Sequence, residues 1–111
     1  MNISTIVKQG VLIVHVEGEM DMHSAEQFRS SVDTSLETSG AKHIIFNLQG
    51  VTFIDSSGVG VILGRYKKVS ILGGKLAAVN VKPQVVRILE FSGLLRIMKL
   101  FGSESEALDS L

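Results

Sequence analysis

The chain of 111 residues has no cysteine and no tryptophan, one proline and one tyrosine. Without cysteine, disulfides, thiolate metal sites and a cysteine nucleophile are excluded. Eleven basic residues balance eleven acidic ones, so the chain lacks the positive field of a general nucleic-acid binder. No apolar run approaches the roughly 20 residues of a membrane-spanning helix, and Met1–Thr5 lacks a signal-peptide pattern. We expect a cytoplasmic protein with no nucleic-acid or membrane partner.

What is present is an alternation of apolar strands and amphipathic helices. Strands are predicted at 3–8, 11–16, 44–48, 76–81 and 96–101, and helices at 24–38, 57–71, 83–92 and after Ser103. The order β-β-α-β-α-β-α-β-α predicts an α/β fold that begins with an antiparallel hairpin. We expect a single domain over residues 1–111, with a mixed, mostly parallel sheet of four to five strands packed with four helices.

Capping signals predict the ends of the elements. Ser24 and Gln27 form the pattern of a capping box at the start of the first helix, and Gly40 stands where a glycine closes a helix. Gly18 is predicted to end the second strand. In the second helix, the stripe that faces the core is predicted to comprise Val59, Ile62, Leu63, Tyr66 and Val69.

The stretch from Phe53 to Gly64 is the most informative part of the chain. It contains an acid, two serines and three glycines: Asp55, Ser56, Ser57, Gly58, Gly60 and Gly64. A serine at the start of a helix lies where backbone N–H groups and the helix dipole favour a phosphate. Each glycine inside a helix costs roughly 0.5–1 kcal/mol relative to alanine. Either the helix packs tightly on its own sheet, or it leaves a bare face for another molecule, which is the interpretation we favour.

The glycines of this chain do not have the spacing of known nucleotide-binding motifs. The three glycines are one residue too widely spaced for the dinucleotide fingerprint. Gly74-Lys75 lacks the upstream glycine of a P-loop, and Leu76 replaces its hydroxyl residue. The sequence therefore predicts no nucleotide cofactor.

Catalytic motifs fail as well. Ile54 stands where the nucleophile elbow of a serine hydrolase needs glycine. Asp55 at a strand end is similar to the phosphoacceptor of a receiver domain, but the paired acids that such a site needs are missing from the first strands. The three histidines show no metal-ligand or acid–base spacing: His15 and His43 are predicted to be structural, and His23 lies in a loop that could approach Ser56. We expect no enzyme activity and no metal.

Several segments together resemble one known family. Ile54–Gly60 resembles the phosphorylation-site motif of the anti-sigma factor antagonists of the STAS domain family. Gly18–Asp21, Ser24-Ala25 and Phe91–Leu94 resemble further elements of that family, in the right order. Gly64–Lys67 is similar to the sporulation-type antagonists that act on the sigma-F pathway. The resemblance covers essentially the whole chain.

The resemblance implies a partner-switching role. In that family, the unphosphorylated antagonist binds an anti-sigma factor that is also a serine kinase, and the sigma factor is released. The kinase then phosphorylates the serine that matches Ser56, and a serine phosphatase restores it. The expected partner-binding set is Asp21, Asp55, Ser57, Gly58, Gly60, Gly64 and Arg65, with Ser57 mainly as helix cap and Arg65 as a charged contact at the rim.

The added phosphate is expected to break docking by charge and bulk, with the fold intact. The alternative is a STAS module that does not switch, either a scaffold in a stress-signalling complex or an accessory subunit of a transporter.

Overall fold

The computed structural model describes residues 1–111. Its strands and helices are β1 (Asn2–Lys8), β2 (Val11–Met20), α1 (Ala25–Ser39), β3 (His43–Ile54), α2 (Ser56–Ile71), β4 (Leu76–Val79), α3 (Pro83–Phe91), β5 (Lys99–Phe101) and α4 (Glu104–Ser110). A short 3-10 turn, Leu94–Arg96, lies between α3 and β5. None of the helices combines the length and apolarity needed to cross a bilayer.

The five strands form one sheet in the order β1-β2-β3-β4-β5. β1 pairs antiparallel with β2, and every other neighbouring pair is parallel. The predicted α/β class, the mixed sheet and the order of elements are therefore confirmed. Because β2, β3 and β4 run in the same direction, their carboxyl ends lie at one edge of the sheet, where loops collect polar side chains.

The two faces of the sheet are covered unequally. One face packs against α1, α2 and α3 in a cluster of 21 buried residues, in which the Phe28 and Phe46 ring centroids are 5.5 Å apart. The other face holds a cluster of six, closed by Ala107 of α4. The larger core fixes α2 against the sheet, so the start of α2 has a defined position at the carboxyl edge.

Two strands extend further than predicted. β2 continues past Gly18 to Met20, with a register shift against β3 between Gly18 and Glu19. Gly18 has φ +109, a value that favours glycine, and the strand continues through it; the extra residue at this bulge is Thr52 of β3. β3 likewise runs unbroken to Ile54, whereas β5 is shorter than predicted because residues 94–96 form the 3-10 turn.

One of the two predicted caps of α1 is wrong, and the other is confirmed. The capping box at Ser24 is wrong: its Oγ accepts a hydrogen bond from Asp21 N (3.1 Å) and donates one to Glu19 O (2.8 Å), so it holds the preceding loop. Gly40 closes α1 as predicted, in the left-handed conformation with its N–H donating to Leu36 O. The predicted helix after Ser103 is also present as α4, and Ser103 caps it, since Ser103 Oγ accepts from Glu106 N (3.2 Å).

Candidate functional site

The turn from β3 into α2 is built on the end of β2. Met20 pairs with Ile54 across the two strands, and Asp55 N donates to Met20 O (3.0 Å). This pairing brings the loop after β2, which begins at Asp21, beside the start of α2. Two segments that are distant in the sequence therefore form one surface.

Asp55 is the residue that caps α2. Its Oδ1 accepts hydrogen bonds from Ser57 N (2.8 Å) and Gly58 N (3.1 Å), and its Oδ2 accepts one from Met22 N (3.1 Å). The prediction that Ser57 caps this helix is wrong, because the extended conformation of Asp55 places its carboxylate over the N–H groups of the second and third helical residues. Asp55 also ties the loop after β2 to the helix.

Asp21 organises that loop in the same way. Its Oδ1 accepts from His23 N (2.9 Å) and Ser24 N (3.2 Å). Partial burial acts to raise the pKa of Asp21, but the hydrogen bonds from His23 and Ser24 outweigh it and hold the pKa below its ordinary value. Asp21 therefore carries a negative charge at neutral pH, and its contacts shape the loop.

Ser56 is the first residue of α2 and is exposed, whereas Ser57 is partly buried. Neither hydroxyl makes a hydrogen bond within the chain. No basic side chain of the chain is therefore hydrogen-bonded to the Ser56 hydroxyl.

The three glycines of α2 have different surroundings. Gly58 is buried, and a Cβ there would lie 2.5 Å from Met20 O and 2.9 Å from Ile54 Cγ2. The prediction that Gly58 thins a docking surface is therefore wrong, since its bare backbone is needed for the helix to pack on β2 and β3. A Cβ at Gly60 or Gly64 would meet nothing within 4 Å, so these two face open space.

Arg65 is not at the exposed rim, contrary to prediction. Only 6% of it is exposed, and its Nε lies 3.0 Å from Asp33 Oδ1 of α1 in an ion pair without hydrogen-bond geometry. Arg29 and Lys68 also lie within 3.4 Å and 3.1 Å of Asp33 Oδ2. Burial lowers the pKa of Arg65, partly opposed by the charge of Asp33. Arg65 thus joins α2 to α1.

The buried stripe of α2 explains this correction. It comprises Gly58, Ile62, Arg65 and Val69, at the spacing of one helix face. Leu63, predicted to lie in the stripe, is 38% exposed. Hydropathy alone assigns Leu63 inward and Arg65 outward, so sequence reasoning placed both on the wrong side.

A groove runs beside Ser56 between the start of α2 and α3. We call it the α2–α3 groove; its volume is about 440 Å³, and it is lined by Ile54, Asp55, Ser56, Val59, Arg87, Ile88, Phe91 and Ser92. Sequence reasoning did not assign Arg87 or Phe91 to the site. The sequence did hold one signal for this part of the site, because Phe91–Leu94 resembles an element of the family. The sequence did not show that this element lies beside Ser56.

His15 and His43 have structural roles, as predicted. His15 Nε2 lies 2.7 Å from Glu104 Oε2, and Asn47 Nδ2 donates to the same oxygen (2.7 Å). The Asn47 hydrogen bond, with a smaller contribution from His15, holds the pKa of Glu104 below its ordinary value despite partial burial. His43 Nδ1 accepts from Lys75 N (2.9 Å). No group of three or more His, Asp or Glu residues could hold a metal ion.

Comparison with known proteins identifies relatives of this chain in sequence and in structure. The STAS domain family matches residues 2–107. An anti-sigma F factor antagonist from Paenibacillus polymyxa is 43% identical over 103 residues, which is 93% of this chain and 88% of the relative. The structure of the anti-sigma factor antagonist SpoIIAA in its unphosphorylated form has a TM-score of 0.76 at 26% identity, covering 98% of this chain and 96% of that one.

A second solved structure is the Bacillus cell fate determinant SpoIIAA in the phosphorylated form. It has a TM-score of 0.74 at 31% identity and covers 98% of both chains. The family match runs from β1 into α4, and the resemblance to sporulation-type antagonists is confirmed at the level of sequence relatives. The chain is therefore a member of the STAS domain family.

Proposed function

We propose that this protein is an anti-sigma factor antagonist that is switched by phosphorylation of Ser56. The observation that carries the proposal is the exposed Ser56, whose hydroxyl is free, at the start of a helix that leaves Gly60 and Gly64 bare. The unphosphorylated form binds an anti-sigma factor that is also a serine kinase, and the sigma factor is released. The kinase transfers a phosphoryl group from ATP to Ser56 Oγ, and a serine phosphatase removes it.

The electrostatics of the turn support such a switch. Phosphorylation adds about −1.5 to −2 charges at neutral pH. The N–H groups of Ser57 and Gly58 already donate to Asp55, so they do not neutralise the phosphate, which lies next to the Asp55 carboxylate. The added charge and bulk then repel the partner. Because Ser56 is exposed and outside the core, the fold stays intact.

The remaining members of the predicted set divide into three roles. Gly60 and Gly64 allow a partner to approach the α2 backbone closely. Asp21, Asp55 and Ser57 shape the loop surface beside Ser56. Gly58 and Arg65 act indirectly, since their contacts hold α2 on the sheet and on α1. Residues 1–111 act in this proposal as a single STAS domain.

Phosphosite mapping by mass spectrometry tests the proposal. The purified protein is incubated with ATP, Mg²⁺ and each anti-sigma-type serine kinase of the same genome, beside Ser56→Ala and Ser57→Ala. We expect a phosphate on Ser56 that is lost only in Ser56→Ala. The far-ultraviolet circular dichroism of the two forms should agree, because the modification leaves α2 folded.

A negative result has a defined meaning. If no kinase modifies the protein, the switching role is wrong, and the alternative STAS module without a switch, a scaffold or a transporter subunit, becomes the better interpretation. If the phosphate lies on Ser57, the assignment of Ser56 is wrong. A large loss of helix on phosphorylation would contradict the repulsion mechanism and leave the acceptor unaffected.

A further inference from the structure

The α2–α3 groove carries a feature that partner switching at Ser56 does not by itself explain. Phe91, on its rim, is 97% exposed, more than any other large apolar side chain of the chain. Single exposed apolar residues are ordinary. Phe91, however, is continuous with an apolar lining that includes Val59 and Ile88, and a continuous patch of this kind marks an interaction surface.

Two more exposed apolar side chains lie at the same edge of the sheet. Met22 is 71% exposed, and its backbone donates to the Asp55 carboxylate. Phe53, which is 45% exposed, lies two residues before Asp55. Exposed apolar side chains therefore lie on both segments that adjoin the Ser56 turn, the loop after β2 and the end of β3.

The groove lining holds one cation and one anion, and the two differ in their partners. Arg87 lines it, is exposed, and lies in no ion pair of the chain. The other charged residue of the lining is Asp55, whose two oxygens already accept three backbone hydrogen bonds. The unpaired Arg87 beside the apolar lining of the groove is complementary to a partner segment in which a carboxylate lies next to an apolar side chain.

We propose that the α2–α3 groove seats an apolar side chain flanked by an Asp or Glu of the anti-sigma factor, with Phe91 as the apolar anchor and Arg87 as the carboxylate contact. This inference rests on the proposed function. It also sharpens the switch, because Ser56 forms part of the groove wall. A phosphate there puts negative charge where the partner's carboxylate would sit and competes with it for Arg87.

Two exposed residues away from the α2–α3 groove offer matched controls. Ile71 is 86% exposed beside a second groove of about 450 Å³, and it lies about 22 Å from Ser56 along the helix axis. Arg96, exposed and also in no ion pair, lines a separate cavity with Lys75 and Lys99. Ile71→Ala and Arg96→Gln therefore remove the same chemistry as Phe91→Ala and Arg87→Gln, but away from the groove.

The experiment is a titration of the unphosphorylated full chain with each anti-sigma-type serine kinase of the same genome, by calorimetry. We expect Phe91→Ala to weaken binding by about 30-fold or more, as for an aromatic hot spot, and Arg87→Gln by about 5-fold to 10-fold. The two control variants should bind within about twofold of the wild type. All four residues are exposed, and thermal melts verify that each variant folds.

The outcomes separate this inference from the proposed function. If the wild type binds a kinase and Ser56→Asp abolishes binding, but Phe91→Ala and Arg87→Gln bind normally, the groove is not the seat and the proposed function stands. If Ile71→Ala loses as much affinity as Phe91→Ala, the groove assignment is overturned too. If the wild type binds none of the kinases, both proposals fall.

Discussion

The two faces of α2 carry the same residue type for opposite physical reasons. On the inner face, the Cα of Gly58 lies against β2, and there is no room for a side chain beside Met20 O. On the outer face, Gly60 and Gly64 have nothing in front of them. The inner glycine is a packing requirement, whereas the outer glycines cost helix stability without any packing gain in this chain.

The charged residues show the same contrast. Arg65 is buried on the inner face against Asp33, and Arg87 is free at the α2–α3 groove. A buried cation is held by the fold and is unavailable to a partner, whereas a free one has its full charge available. The difference between Arg65 of α2 and Arg87 of α3 shows that residue type does not distinguish a position held by the fold from one open to a partner; the surroundings do.

Removing the ion pair on the inner face of α2 should have the largest effect on stability. Asp33→Ala leaves Arg65 buried without its carboxylate, beside Arg29 and Lys68, and should reduce the free energy of unfolding by about 3–5 kcal/mol. Urea denaturation measures it. The double variant Asp33→Leu/Arg65→Met should recover most of the loss, because an apolar pair needs no charge partner. A loss under about 1 kcal/mol for Asp33→Ala would show that solvent reaches the pair.

Adding a side chain at the inner glycine, Gly58, should have the next largest effect on stability. Gly58→Ala puts a Cβ 2.5 Å from Met20 O, so the start of α2 must shift away from β2. We expect a loss of about 1–3 kcal/mol in the free energy of unfolding, as for overpacking. Denaturant melts should show this with an unchanged m-value. Stability equal to that of the wild type would mean that the helix moves freely and that Gly58 is not a packing requirement.

Removing the cap of α2 should have a moderate effect. Asp55→Ala leaves the N–H groups of Ser57, Gly58 and Met22 without their acceptor, and should cost about 0.5–2 kcal/mol. Hydrogen exchange should accelerate at these three amides first. Ser57→Ala is the matched control and should be nearly neutral, because the Ser57 hydroxyl makes no hydrogen bond. Equal losses in the two variants would contradict the assignment of Asp55 as the cap.

Filling an outer glycine should have the smallest effect on stability, with the opposite sign. Gly60→Ala meets no neighbour and favours the helix, so it should raise the free energy of unfolding by about 0.5–1 kcal/mol. If the bare face binds an anti-sigma factor as proposed, the same variant should bind it more weakly. A stabilised protein with undiminished binding would show that this face is not used.

Much of the fold was predictable because its signals are local. The β-branched run at Val11–Val16, the turn at Gln9-Gly10 and the glycine that closes α1 each depend on neighbours within a few residues. Alternation and helical periodicity therefore predicted the order of elements. Predictions of element ends were weaker, as at Gly18, because pairing with β3 carried the strand beyond a residue that usually stops one.

The candidate site was predictable only as a segment. Its residue types and order from Asp55 to Gly64 are readable in the sequence, as is the resemblance of that segment to a known motif. The direction in which each residue points is not, because the contacts that decide it are distant in sequence. Asp33 draws Arg65 inward, and Met20 lies over Gly58.

By itself, the sequence determined the fold class, the order of the strands and helices, and the family, since apolar periodicity, turn residues and motif order are properties of neighbouring positions. The tertiary structure alone decided which glycine is buried, which arginine is free, and that Phe91 of α3 lies beside Ser56 of α2. Those facts arise when the sheet brings separate segments into contact, and contact determines whether a side chain serves packing or remains available to a partner.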